Sequence, residues 1–138
     1  MKFENSIYFN QLKHSKLVFP FGKFYLFDNF IISELHEGVH FDWEKIQEVS
    51  YELIAHYGNN IKIGYISNRI NSYSIDPHLW STFNKEFGFI VASAVVIHDD
   101  FGYMNATLEK QFTENSLKRC SSLEEAIHWI QNLDEFKT

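Results

Sequence analysis

The residues best suited to chemistry lie in the stretch ISNRINSYSIDPH, residues 66–78. Asn68, Arg69, Asn71, Ser72, Tyr73, Ser74 and Asp76 fall within nine positions, and His78 closes the stretch. Arg69 brings a planar fork of donors that matches a carboxylate or phosphate. The amides of a following helix start could help to hold such an anion. Asp76 works against this, because a capping carboxylate would occupy those amides itself. The stretch is therefore read as a contact surface for a partner or ligand, made by Asn68, Arg69, Asn71, Tyr73, Ser74, Asp76 and His78. The plainer alternative is a connection held together by its own Asn and Ser side chains.

Three other groups could in principle react. HEGVH, residues 36–40, matches H-E-x-x-H, in which two imidazoles on one helix face hold Zn²⁺ beside a general-base Glu. Gly38 in its centre disfavours helix, no third ligand follows at metzincin spacing, and the string is expected to form a strand-to-helix turn. Cys120 precedes a helix start and follows Arg119, which could lower its pKa. His128, however, lies about two turns along the next helix, so no base is positioned, and a buried, inert thiol is expected. His98, Asp99 and Asp100 end an apolar run and could bind metal or move protons, but they read better as a turn. No metal, no cofactor and no assembled catalytic set are expected.

Composition narrows the field. A chain of 138 residues has the size of a single domain and can bury a core, to which fourteen Phe supply much of the area. A formal charge of −6 with scattered Lys and Arg argues against nucleic acid. One cysteine precludes an intrachain disulfide and points to a reducing, cytoplasmic setting. The opening residues lack the apolar core of a signal peptide. The longest apolar run, residues 87–97, is much shorter than the roughly 20 residues of a membrane span.

Periodicity then supplies the elements that must position these groups. Residues 1–16 read as a peripheral arm. Short β-type runs at 17–19, 23–27 and 30–35 follow, and Asp28-Asn29 between the last two signals a hairpin through residues that tolerate positive φ. Residues 42–57 form the clearest helix, capped by Asp42 and stopped by Gly58. A strand is expected at 61–66. A helix at 77–87 begins with Asp76 as N-cap and Pro77 as N1. A doubly buried strand covers 89–97. A weaker helix covers 103–114 with Met104, Leu108 and Phe112 inward. A strand at 117–120 precedes a last helix with a Ser122–Glu125 capping box. The order β-β-α-β-α-β-α-β-α predicts a largely parallel sheet of about five strands in a single domain, with helices mainly on one face and a core over about 22–133.

This order resembles the STAS / SpoIIAA-like fold, including small bacterial STAS/Sec14-like proteins. The likeness is best at RCSSLEEAIHWI, residues 119–130, which is similar to that family's last strand and capped last helix. The resemblance implies a non-enzymatic regulatory module acting through protein contacts of the 67–78 loop. In the family's anti-sigma-factor antagonists a Ser in an Asp-Ser-Ser-Gly turn opens the second helix and is phosphorylated. Here that string is missing and Asp76 takes the cap; Ser72 and Ser74, near it but not at the cap, are the candidate phosphorylation sites that the resemblance implies. The Sec14-like relatives imply an alternative, a carrier for a small apolar or lipid-like ligand. A zinc hydrolase using HEGVH ranks third. An unknown protein partner, no nucleic acid and a homodimer complete the expectations.

Overall fold

A computed structural model describes residues 1–113 and 115–133, apart from the side chains of Asp100 and Phe101. A 3₁₀ turn at Phe3–Asn5 and a short helix α1 (Tyr8–Gln11) precede the sheet. The strands are β1 (Ser15–Phe19), β2 (Gly22–Leu26), β3 (Phe30–Leu35), β4 (Ile63–Asn68), β5 (Ile90–Val96) and β6 (Ser116–Cys120). The longer helices are α2 (Trp43–Tyr57), α3 (Leu79–Glu86), α4 (Asp100–Lys110) and α5 (Leu123–Gln131). The six strands lie in chain order. β1, β2 and β3 pair antiparallel, and β3 to β6 pair parallel. The α/β alternation thus yields the expected parallel sheet, with the first short run added as a sixth strand.

Side chains alternate between two cores. On the front face, α2, α3 and α4 cover Phe24, Ile31, Tyr65 and Val95 with Ile46, Val49, Leu53, Trp80, Phe83 and Ala106. On the back face, α5 covers Ile66, Ala94 and Val96 with Ala126, Ile127 and Ile130. Residues 1–12 complete this second layer. Phe3 is wholly buried there, so these residues do not form the peripheral arm anticipated from their mixed composition. Residues 15 and 16 already belong to β1.

Local signals explain most element ends. Asp42 accepts a hydrogen bond from the Lys45 amide at 3.1 Å, and Gly58 ends α2 at φ +98°. Ser122 accepts from the Glu125 amide at 3.1 Å, while the Glu125 carboxylate returns to the Ser121 amide at 2.8 Å. Asp28-Asn29 makes the β2–β3 turn, closed by the Phe27 amide donating to the Phe30 carbonyl at 2.9 Å, but neither residue adopts positive φ.

Three expected elements shift. β4 runs on to Asn68, because Ser67 and Asn68 pair with Val95 and Val96. α3 starts at Leu79 rather than Pro77. Asp76 instead makes a tight turn by accepting from the His78 amide at 3.0 Å. α4 starts at Asp100, with Asp99 as its cap, and ends at Lys110; Glu114 lies outside the described residues. Met104 and Leu108 of its anticipated apolar stripe are 65% and 49% exposed, and Ala106 and Glu109 face inward instead.

Small residues let α5 approach the sheet. Gly64 pairs with Ala92, and a Cβ on Gly64 would lie 2.5 Å from Cγ1 of the fully buried Ile130. Gly64→Ala is expected to destabilise the chain by about 1–3 kcal/mol through overpacking. Urea unfolding would measure this, and Ile130→Val in the same chain should recover part of the loss.

Candidate functional site

The C-terminal edge of the parallel strands is built around the end of β4. Ser67 points to the front core, Asn68 to the back and Arg69 to the front again, as a period of two demands. The Arg69 guanidinium makes a bidentate pair with Glu109 of α4, both N–H···O distances being 2.6 Å. The two side chains are only 11% and 1% exposed. Trp80 Nε1 donates to the same carboxylate at 3.0 Å, and Arg69 Nε donates to Ser67 Oγ at 3.1 Å. Ser67 Oγ also lies 2.7 Å from the Tyr73 hydroxyl, and the guanidinium stands 5.2 Å from the Tyr73 ring centroid. Nearby, the Ser33 and Tyr65 hydroxyls are 2.7 Å apart.

Protonation follows from this setting. Burial acts to lower the Arg69 pKa, but the charge and hydrogen bonds of Glu109 hold the guanidinium above its ordinary value. Burial raises both tyrosine hydroxyls, so Tyr65 and Tyr73 are neutral at physiological pH. A buried ion pair with extra hydrogen bonds is internally satisfied and not free to capture an anion.

The connection from Arg69 to His78 runs across this network as an alternating cover. Ser72, Ser74, Asp76 and His78 face water, while Asn71, Tyr73 and Ile75 are half-buried. HEGVH fastens it down. The Gly38 amide donates to the Ser72 carbonyl at 2.8 Å, the Ser74 amide to the Val39 carbonyl at 2.9 Å, and the Phe41 amide to the Ser74 carbonyl at 2.8 Å. Glu37 accepts from the Ser72 amide at 2.9 Å, and His40 Nδ1 lies 2.8 Å from Ser74 Oγ. Asn71 Nδ2 donates to the Leu35 carbonyl at 3.1 Å. Residues 36–40 form a turn with Gly38 at φ +77°, so the two imidazoles do not share a helix face. Among the described residues no three His, Cys, Asp or Glu side chains gather around a metal-sized space.

Two spaces flank the cover. Beneath it lies a mainly apolar cavity of about 60 Å³ lined by Phe24 and Tyr65 of the sheet, Leu53 of α2 and Trp80 and Phe83 of α3, together with Arg69, Tyr73 and Glu109. Outside it, toward α4, lies a polar groove of about 110 Å³ lined by Glu37, Asn71, Ser72, His98, Asp99 and Asn105. Arg69 and Tyr73 border both. Asp99 accepts from the Gly102 amide at 2.6 Å, so it is a helix cap as well as a groove wall. Of the His98-Asp99-Asp100 trio, the Asp100 side chain lies outside the described residues.

Of the predicted contact residues, Asn71 and Tyr73 line the groove, with Ser72 between them, whereas Ser74, Asp76 and His78 face water beyond it. Arg69 is committed to Glu109, and Asn68 lies on the opposite face. There its Nδ2 donates to Glu34 at 2.8 Å and to the Met1 carbonyl at 2.9 Å. Cys120 is buried, and burial together with Glu125 pushes its thiol up to about 11, away from the thiolate a nucleophile needs. Glu109, Glu34, Ser33 and Tyr65 were not singled out from the sequence. A charge inside the apolar run FIISEL marked Glu34, and the spacing of three between Ala106 and Glu109 marked the inward face of α4, but the misleading Met104/Leu108 stripe hid it.

No family model and no curated protein matches the chain. Among solved structures the chain is similar to an uncharacterized protein from the DUF3478 family with a SpoIIAA-like fold, from Shewanella loihica PV-4. The TM-score is 0.54 over 86% of this chain and 93% of the other, at 10% identity. The chain therefore has a SpoIIAA-like fold. No described helix is long and apolar enough to cross a membrane.

Removing one partner of the buried pair leaves the other charged and desolvated. Glu109→Ala is expected to cost about 3–5 kcal/mol in unfolding free energy, whereas replacing both partners, Arg69→Met with Glu109→Leu, should cost far less. Chemical denaturation of these two variants and the parent chain measures the difference.

Proposed function

We propose that the chain is a non-enzymatic binding module whose contact surface is the C-terminal sheet edge: the 69–78 cover, the groove beside it and the start of α4. One observation carries this reading. The buried groups at that edge with catalytic potential are spent on one another. Arg69 is bonded to Glu109, Ser67 to Tyr73 and Ser33 to Tyr65. A nucleophile requires a positioned base, and an acid or base requires access to substrate. What faces outward is a polar rim on a rigid floor, as suits recognition without chemistry. The SpoIIAA-like fold is compatible with a regulatory role but does not specify one.

The polar rim nearest the groove is formed by Ser72, His98 and Asn105. The double variant Ser72→Arg, Asn105→Arg should fold as the parent and lose at least tenfold of its captured partner from native lysate, measured by quantitative mass spectrometry. Lys62→Glu, at an exposed position before β4, should keep it. Identical partner sets in all three chains would remove this edge from the function.

A second reading, a carrier for a small apolar ligand, is favoured by the cavity beneath the cover. At about 60 Å³ it would hold a few water molecules or a very small guest, far below the several hundred Å³ of ordinary ligand pockets. A lipid-like guest would require the 72–75 cover to lift. Native mass spectrometry of freshly purified protein is expected to give the bare chain mass; a stoichiometric co-purified small molecule would favour the carrier.

A further inference from the structure

The back face holds a second polar apparatus, built around residues 1–12. Glu34 sits in the middle of an apolar sheet face, 7% exposed, and its Oε2 accepts both the Phe3 amide at 2.7 Å and Asn68 Nδ2 at 2.8 Å. Asn68 also reaches the Met1 carbonyl, while its own Oδ1 is buried without a donor. The Phe3 ring fills an aromatic pocket, with centroids 4.7 Å from Tyr25, 5.0 Å from His14 and 5.4 Å from Phe27. One residue on, the Glu4 carboxylate accepts from Lys16 at 2.8 Å and from the Tyr25 hydroxyl, which hold its pKa down at about 2.

These contacts recognise a segment in the manner of a peptide site. Buried side chains read two main-chain groups, an aromatic pocket takes one anchor, and a cation with a hydroxyl takes the following carboxylate. Beyond these anchors, only the partly buried Tyr8 and Leu12 and the ring of Phe9 add packing to the segment. Its 3₁₀ turn and four-residue helix are too short to be stable alone. Ile7 is 65% exposed, and only Lys13 and His14 separate Leu12 from β1. A segment retained by anchors on a short hinge is a candidate for exchange between copies.

We propose that this back-face groove is a docking site for a Phe-Glu segment, filled in cis by residues 1–12 and open in trans to the same segment of a second copy. Exchange would replace each contact with an identical one, so only hinge geometry and entropy oppose it. In cis the tethered segment competes at an effective concentration of about millimolar.

The test uses the full chain and a fluorescein-labelled peptide of residues 1–12. The Phe3→Ala chain, whose own segment has lost its anchor, should bind the peptide at least tenfold more tightly than the parent. A Phe3→Ala peptide should bind neither. If the Phe3→Ala chain does not fold, Glu4→Gln, at a more exposed contact, should give a several-fold gain. No gain in the folded variant, or equal binding of the Phe3→Ala peptide, would overturn the site. Sedimentation of the parent chain at about 1 mM, matching the effective concentration in cis, should reveal a dimer that excess peptide disperses. A strictly monomeric chain would overturn exchange between copies.

Discussion

The bidentate pair between Arg69 and Glu109 is the constraint around which the front half of the molecule is arranged. Arg69 extends from the last turn of backbone after β4, Glu109 from the inner face of α4, and Trp80 from α3 reaches the same carboxylate. Three elements distant in the chain are thereby held to one point. Desolvating two ions costs several kcal/mol each, and the pair offsets this only because the guanidinium and carboxylate find additional donors and acceptors in Trp80 and Ser67. Against a net stability of only about 5–15 kcal/mol for a typical domain, such a network specifies geometry as much as it stabilises.

The pair also decides what the edge can do. Arg69 viewed alone is a free anion receptor; Arg69 with Glu109 is a strut. The cover from residue 69 to 78 then rests on an internally neutral floor, and HEGVH, instead of gathering metal, pins that cover through backbone bonds and through Glu37 and His40. The three polar residues at the end of β4 serve both faces of one sheet. Ser67 and Arg69 join the front network, and Asn68, between them, joins Glu34 in holding residues 1–3. Movement on either face therefore meets the same short piece of backbone.

Packing distance separates the two layers. On the back, Gly64 and Ala94 admit α5 closely, and Phe3 packs beside Tyr25 and Phe27. On the front, Phe24, Tyr65, Trp80 and Phe83 hold α2 and α3 off the sheet and leave the cavity between them.

Much of this was legible in the sequence. Hydrophobic period and capping residues located α2, β5 and α5, and strand-helix alternation implied the parallel sheet, because those signals are local and act within a turn or a strand. Asp42, Gly58, Ser122 and Glu125 act through neighbours a few positions away. The site was legible only as a polar stretch. That Arg69 would be spent on Glu109, forty residues on, that Asn68 would turn to the back, and that Phe3 would be core depended on which face each strand presented and on what came to cover it. Those are long-range pairings, and in one dimension a buried, partnered charge has the same letter as a solvated one. Sequence by itself thus determined the elements and their order, whereas tertiary structure decided which polar groups were partners, because only burial makes an unpaired charge too costly to leave alone.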